Sequence, residues 1–230
     1  PRAKQALQKR ARRGASAIGP MLQALGHADT RATVTYVEAL AAVVDNKTFP
    51  LLIKGMAENN ARTVSGIAMA LAGSKNYTPS LLIEALSNPD ASKPAILDVI
   101  AAQRTRFSVR ELLTAAYNQE PNEKAALFRI VGEMVDANAV PDLISRVEGK
   151  DPLARVHIIN MLARFNLPQV SEAIQKQLGD SSKLIRQAAL PPRPSGQLGN
   201  QIFADALAGL RGEFLPRLSR FGVRRLVDQG

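Results

Sequence analysis

Residues 178–190 read Leu178-Gly-Asp-Ser-Ser-Lys-Leu-Ile-Arg-Gln-Ala-Ala-Leu190, a polar turn followed by the start of an apolar helical pattern. Arg186 in this stretch is the last of six basic residues that stand 31 positions apart. A fixed period of this length indicates one supersecondary unit that is repeated and stacked. These residues, called the basic column below, are Arg31, Arg62, Lys93, Lys124, Arg155 and Arg186.

Apolar pairs precede the basic residues and repeat with nearly the same period. The two members of each pair stand four positions apart, which indicates a helix. Their first members are separated by 30 or 31 positions. The pairs are Met21/Leu25, Leu52/Met56, Leu82/Leu86, Leu113/Tyr117, Leu143/Val147 and Ile174/Leu178.

Each period is typical of two helices joined by a polar turn. Clusters of Gly, Asn, Asp and Pro separate the two helical segments, and nothing between them is strand-like. Pro in the first turn and a Ser or Thr cap predict where the first helices begin. Ser108 and Glu111 match the capping box. The predicted starts lie near Gly19-Pro20, Phe49-Pro50, Thr78-Pro79, Ser108 and Val140-Pro141. The sequence therefore predicts an all-α fold, an α-α superhelix of about six two-helix repeats.

The opening stretch resembles the HEAT-like repeats, particularly their short bacterial form. It has Leu178, Asp180, the β-branched Ile185, Arg186 and then two Ala residues in the order of that family's pattern. The resemblance covers about residues 17–190 and implies a HEAT-like α-solenoid. It does not choose a function, because such folds include scaffolds, nucleic-acid enzymes and pigment-attaching lyases.

The basic column allows two interpretations. In proteins that this chain resembles, the Arg at the start of the second helix pairs with a turn Asp of its own or an adjacent repeat. The column is then a structural ladder that sets the stacking. The alternative is a stripe of cations for phosphates, as a nucleic-acid binder requires. The acceptors available to a ladder are Asp29, Asn60, Asp90, Asn122, Asp151 and Asp180.

The distribution of charge favours the ladder. The chain carries a net charge of +10, but residues 17–190 hold 18 basic and 17 acidic side chains. The excess lies in residues 1–16, with six basic and no acidic residues, and in residues 191–230, with six and three. A groove that follows a polyanion needs a surplus along its helices. Nucleic acid is therefore the less favoured partner.

The ends of the chain differ from the repeats, which predicts four segments. Residues 1–16 form a basic lead-in, 17–190 the solenoid, 191–199 a Pro/Gly linker and 200–230 a basic amphipathic helical tail. The lead-in is either a solvated extension or a polybasic segment beside a membrane. The tail covers the end of the solenoid, docks on a partner or an anionic membrane surface, or is not native sequence.

A solenoid exposes a long surface on its second helices, and we expect a partner protein or peptide to bind there. Counting five and nine positions from the basic column predicts a ridge with an apolar and a polar end. The apolar end comprises Tyr36, Leu40, Ile67 and Leu71, and the polar end comprises Asp98, Arg129, Glu133, Asn160 and Arg164.

Catalytic chemistry has little support in the sequence. The chain has no Cys, and its two His residues, His27 and His157, lie in different units. No phosphate loop, metalloprotease motif or nucleophile elbow occurs. We therefore predict a non-enzymatic scaffold that needs no cofactor or metal and lies in the cytoplasm, or forms the cytoplasmic part of a membrane-anchored protein. The alternative is a HEAT-like protein that binds or processes nucleic acid; the oligomeric state is left open.

Overall fold

The computed structural model describes residues 14–57 and 60–190. Within these ranges the chain forms α-helices and short 3-10 turns, without a β-strand. The described residues up to Ala188 belong to one compact unit. The helices are α1 Ala15–His27, α2 Thr30–Ala41, α3 Phe49–Met56, α4 Ala61–Gly73, α5 Ser80–Ala85, α6 Lys93–Ala102, α7 Val109–Tyr117, α8 Pro121–Met134, α9 Val140–Arg146, α10 Pro152–Leu162, α11 Pro168–Lys176 and α12 Lys183–Ala189.

The helices form six consecutive pairs, as the 31-residue period predicts for an α-solenoid. In the first five units, each first helix packs against the second helix of its own unit. The second helices α2, α4, α6, α8 and α10 pack against one another in order. Their buried Leu, Ile, Val and Ala side chains fill one continuous apolar core. Each unit therefore buries its apolar faces against its neighbours.

Side-chain caps define the starts of several helices. Asp29 accepts a hydrogen bond from the Ala32 amide at 2.7 Å, which caps α2. The capping box predicted at α7 is present, because the Glu111 amide donates to Ser108 and the Ser108 amide donates to the Glu111 carboxylate. These side chains satisfy amide groups that have no partner inside the helix.

The start predicted for α1 is wrong. This helix begins at Ala15, and Pro20 lies inside it rather than in its first turn. Pro20 has no N–H to donate to the preceding turn. The apolar face nevertheless continues on both sides of Pro20, with Ile18 and Leu22 both buried. Tertiary packing of this face outweighs the local preference for Pro at a helix start.

The basic column conceals a slip of two residues in the second helices. Buried residues repeat at 31 positions between α2 and α4, as in Leu40 and Leu71, and again from α6 to α10, as in Ile100, Val131 and Leu162. Between α4 and α6 the spacing is 29, because the buried Gly66, Ile67, Ala70 and Leu71 correspond to the buried Ala95, Ile96, Val99 and Ile100. The helix caps show the same loss of two residues, since the N-caps Asn60 of α4 and Glu120 of α8 stand 60 rather than 62 positions apart.

We predict opposite effects for alanine at two glycines of the first two units. In α4, a Cβ on Gly66 would lie 2.5 Å from Leu25 Cδ2, so Gly66→Ala should destabilise the protein by about 1–3 kcal/mol through overpacking. In α1, a Cβ on Gly19 would meet nothing within 4 Å, so Gly19→Ala should stabilise by up to about 1 kcal/mol. Urea unfolding of both variants measures the difference. Equal effects would contradict the close packing of α4 on α1.

Candidate partner-binding surface

The basic column contacts the turns between helices. Lys124 forms an ion pair with Asp151, and Arg155 donates to Asp180; both acceptors lie in the turn of the following unit. Lys93 lies 3.8 Å from Glu123, also in the following unit. These cations therefore connect each unit to the next one.

The remaining members of the column behave differently. Arg62 donates to the Ala28 carbonyl of the preceding unit at 3.0 Å. Arg186 donates to the Asp180 carbonyl of its own turn at 2.6 Å. Arg31 is exposed, and its side chain makes no hydrogen bond or ion pair with the described residues. Arg62, which reaches backward, is the second residue of its helix, whereas Arg155, which reaches forward, is the fourth.

Turn aspartates have two structural roles in the later units. Asp151 accepts from the amides of Leu153 and Ala154 at 3.0 and 3.1 Å while it pairs with Lys124. Asp180 accepts from the Ser182 amide at 2.7 Å while it accepts from Arg155. The hydrogen bonds from Ser182 and Arg155 lower the pKa of Asp180. Asp151 therefore caps its own second helix and holds the cation of the preceding unit, whereas Asp180 orders the turn before α12 while it holds Arg155.

Removing Arg155 should cost far more stability than removing Arg31. Arg155 also donates to the Val147 carbonyl at 2.8 Å and to Gln177 at 2.7 Å, so Arg155→Ala leaves half-buried acceptors unpaired. We expect a loss of about 2–4 kcal/mol for Arg155→Ala and a change within about 0.5 kcal/mol for Arg31→Ala. Chemical denaturation of the two variants measures this. Similar losses would show that position in the repeat, rather than these contacts, sets the energy.

The apolar end of the predicted ridge requires correction. Leu40, Ile67 and Leu71 are completely buried, and Tyr36 packs partly buried against the same core. These four side chains hold the stack together and are not an exposed binding surface. The two-residue slip explains the error, because two residues turn a helix by about 200° and exchange its exposed and buried faces.

The slip also shows which residues continue the ridge. Counting 29 instead of 31 positions back from Asp98 leads to Met69, which is half-buried, and a further 31 leads to Glu38, which is exposed. Asp98 and Arg129 are exposed as predicted, and Asn160 is half-buried. We call this set the surface row: one residue per unit, comprising Glu38, Met69, Asp98, Arg129 and Asn160. Its first two members were missed from sequence; the apolar pattern of Ala95, Ile96, Val99 and Ile100, which stands 29 positions after Gly66, Ile67, Ala70 and Leu71, was the available signal.

A second row of the ridge is engaged in contacts within the protein. Glu133 lies 3.8 Å from Arg104 of the preceding unit. Arg164 donates to the Gly132 carbonyl, also of the preceding unit. Glu133 and Arg164 are exposed side chains, but their polar groups already stabilise the stacking of α6, α8 and α10.

Asp98 and Arg129 of the surface row influence each other without direct pairing. Desolvation by neighbouring groups raises the pKa of Asp98, and the charge of Arg129 opposes this rise. Neither Asp98 nor Arg129 makes a hydrogen bond or ion pair within 4 Å among the residues that the structure describes. The row therefore presents a carboxylate, a guanidinium and an amide whose hydrogen-bonding capacity is open to a partner.

An aromatic cluster lies beside the row, between α8 and α10. The His157 ring stacks on Phe128 with a centroid distance of 5.0 Å and an angle of 9° between the planes. Tyr117 meets the other side of this cluster, with its ring 6.0 Å from that of Phe128, and Arg146 lies over Tyr117. Burial lowers the pKa of His157, and the charge of Asp151 opposes this effect. The stack therefore favours neutral imidazole.

This shift predicts a loss of stability in mild acid. Because the pKa of His157 is lower in the folded chain, the unfolded chain binds a proton more readily once the pH falls below about 6.5. The free energy of unfolding should therefore decrease between pH 7.5 and 5.5 in the wild type and less so in His157→Gln. Urea unfolding at both pH values tests this, with His27→Gln as the control that removes the other histidine. A His157→Gln variant with the full wild-type dependence would contradict it.

Comparison with known proteins identifies the repeat class of the later units. A family model described as HEAT repeats matches residues 109–190, which contain α7 to α12. The last three units are therefore HEAT-like repeats, and the resemblance noted in the sequence is confirmed for them. HEAT repeats generally mediate protein–protein interactions, and proteins built from them are typically non-enzymatic. No curated protein and no solved structure matches the chain.

The structure bears only in part on the predictions about membranes, metal ions and the two ends of the chain. Among residues 14–57 and 60–190, no helix is long and apolar enough to cross a membrane. The same residues contain no group of three His, Asp or Glu side chains suited to a metal ion. The basic segment at residues 1–13 and the tail at 191–230 lie outside the described residues, so their predicted contacts with membranes or partners stay predictions.

Proposed function

We propose that the protein is a non-enzymatic scaffold that binds a partner protein or peptide on its second helices. The observation that carries the proposal is the surface row, which runs across five units with open polar groups at Asp98, Arg129 and Asn160. Exposed Arg that becomes buried in an interface is a frequent source of binding energy. The general role of HEAT repeats in protein–protein interaction supports the same function.

The packing of the helices favours the second-helix side for this role. Successive second helices pack extensively against one another from α2 to α10, whereas contacts between successive first helices are less extensive. The layer with closer contacts forms the inner, concave side of a solenoid, where one elongated partner can touch several units at once. The surface row lies on this layer.

The distribution of cations favours a protein partner over a nucleic acid. Lys124 and Arg155, which a phosphate stripe would need, are largely buried and paired with Asp151 and Asp180. The second row combines Glu133 with Arg104 and Arg164, so it offers no continuous positive surface. A polyanion needs unpaired cations along its path.

Site-specific photo-crosslinking tests the proposed function. A photoreactive amino acid placed at Ser65, one helical turn before Met69 of the surface row, should give a defined protein adduct in cells, whereas the same group at Glu172, on the first-helix layer, should not. Arg129→Glu should reduce the yield of the Ser65 adduct by about tenfold, which corresponds to 1.4 kcal/mol of binding energy. Adducts of equal yield at both sites, unaffected by Arg129→Glu, would remove the basis for a binding surface here.

A further inference from the structure

The first and the sixth unit each carry one half of an ion pair that the later units complete inside the chain. Asp151 holds Lys124 and Asp180 holds Arg155, and each carboxylate lies in the unit that follows its cation. Asp29 stands in the corresponding turn of the first unit, where it caps α2. Within residues 14–57 and 60–190, no cation pairs with it.

The two carboxylate oxygens of the turn aspartates have separate roles. In Asp151 and Asp180, Oδ1 accepts from backbone amides that follow it, whereas Oδ2 holds the cation of the preceding unit. In Asp29, Oδ1 accepts from the Ala32 amide in the same way. Its Oδ2 makes no hydrogen bond or ion pair with a described residue, and the side chain is exposed. Asp29 is therefore an acceptor of the same kind whose cation is missing.

Arg186 is the matching cation at the other end of the described units. Lys124, Arg155 and Arg186 are each the fourth residue of their helix, in α8, α10 and α12. The first two reach forward to the next unit. Arg186 donates through Nη1 to the Asp180 and Ser181 carbonyls of its own turn, at 2.6 and 2.8 Å. Its Nε and Nη2 have no acceptor among the residues that the structure describes.

Exposed apolar side chains accumulate in the same unit as Arg186. Among the described residues, six large apolar side chains are exposed, and three of them, Leu178, Leu184 and Leu190, lie within 178–190. Leu190 is 54% exposed, whereas Ile159, 31 positions earlier, is completely buried. A concentration of exposed apolar side chains marks a contact site for another protein.

The first unit exposes part of a face that the second unit covers. Thr63 and Gly66 of α4 are buried, and a Cβ on Gly66 would lie 2.5 Å from Leu25 of the preceding unit. The equivalent residues of α2, 31 positions earlier, are Ala32 and Thr35, and both are only half-buried. This face of α2 therefore has room for a unit stacked against it.

We infer that copies of this chain associate head to tail, with the sixth unit of one copy stacked on the first unit of the next and Arg186 paired with Asp29. The contact repeats between two chains the pairing of Arg155 with Asp180 inside one chain. Opposite charges at the two ends favour this orientation over end-to-end contacts of like faces. The interface is heterologous, so further copies add in the same way unless a ring closes.

Sedimentation equilibrium of the full chain tests this inference. The average mass of the wild type should rise with concentration above that of one chain. Asp29→Asn retains an oxygen that can cap α2 but removes the charge, so it should weaken association by about tenfold and leave thermal unfolding unchanged. The control Arg129→Glu changes the charge of the surface row in the fourth unit and should leave association unchanged.

Mixing two charge-reversed variants supplies the decisive arm. Asp29→Lys and Arg186→Glu should each stay monomeric, because like charges then meet at the interface. An equimolar mixture should associate again, since the introduced lysine meets the introduced glutamate and the remaining Asp29 meets the remaining Arg186. Misfolding of either variant cannot produce this rescue.

The other outcomes overturn the inference. A wild type that stays monomeric at every concentration would assign the two faces to another occupant, such as the basic segments at residues 1–13 and 191–230. An association that both charge-reversed variants retain would place the interface elsewhere on the molecule. A mixture that stays monomeric while the wild type associates would reject the pairing of Arg186 with Asp29.

Discussion

The second helices must keep their apolar faces aligned from unit to unit, and most other features of the molecule depend on this constraint. Ile100, Val131 and Leu162 are buried at equivalent positions of α6, α8 and α10. A unit of two short helices cannot bury its apolar residues alone. The apolar face of each second helix must therefore point toward the apolar face of the neighbouring second helix. Between α4 and α6 the spacing of equivalent residues falls from 31 to 29, but the buried face of α6 still points into the core. The packing of the core therefore determines which residues of the second helices are exposed.

Charged residues reinforce this alignment at its edge. Asp151 caps α10, and Asp180 accepts from the Ser182 amide in the turn before α12. These two carboxylates also receive Lys124 and Arg155 from the units before them. Such a carboxylate stabilises the backbone near the start of a helix and also holds a cation of the neighbouring unit. One residue type at one position therefore specifies two structural features. The same pairs neutralise cations that would otherwise be available to a polyanion. The basic residues of the repeats thus serve largely to stabilise the stacking of the units.

The sequence was sufficient to predict the repeat, the helix pairs and the capping box at Ser108, because each depends on local spacing or on local hydrogen bonds. The predicted ridge mixes two faces of the helices, since Asp98 and Arg129 are exposed while Leu40 and Ile67 are buried. Counting from the basic column assumed that the cation stands at the same place in every second helix. A long Arg or Lys side chain can reach its partner from more than one helical position, whereas a buried Ile or Leu cannot. The buried apolar residues therefore mark equivalent positions of successive helices more reliably than the basic residues do.

The basic column makes different contacts before and after the two-residue slip. The HEAT-repeat match covers residues 109–190, where the cations of the column in α8 and α10 reach forward to the next turn. In the second unit, Arg62 reaches backward instead, to the Ala28 carbonyl. Both arrangements stabilise the stack, so the slip alters the surface row without weakening the core. The first two members of the row, Glu38 and Met69, lie before the slip and outside the matched range, and Asp98 and Arg129 lie in the first two units beyond the slip. Substitutions at Asp98 and Arg129 can therefore change what is bound while the stacking contacts of Arg155 and Asp180 remain intact.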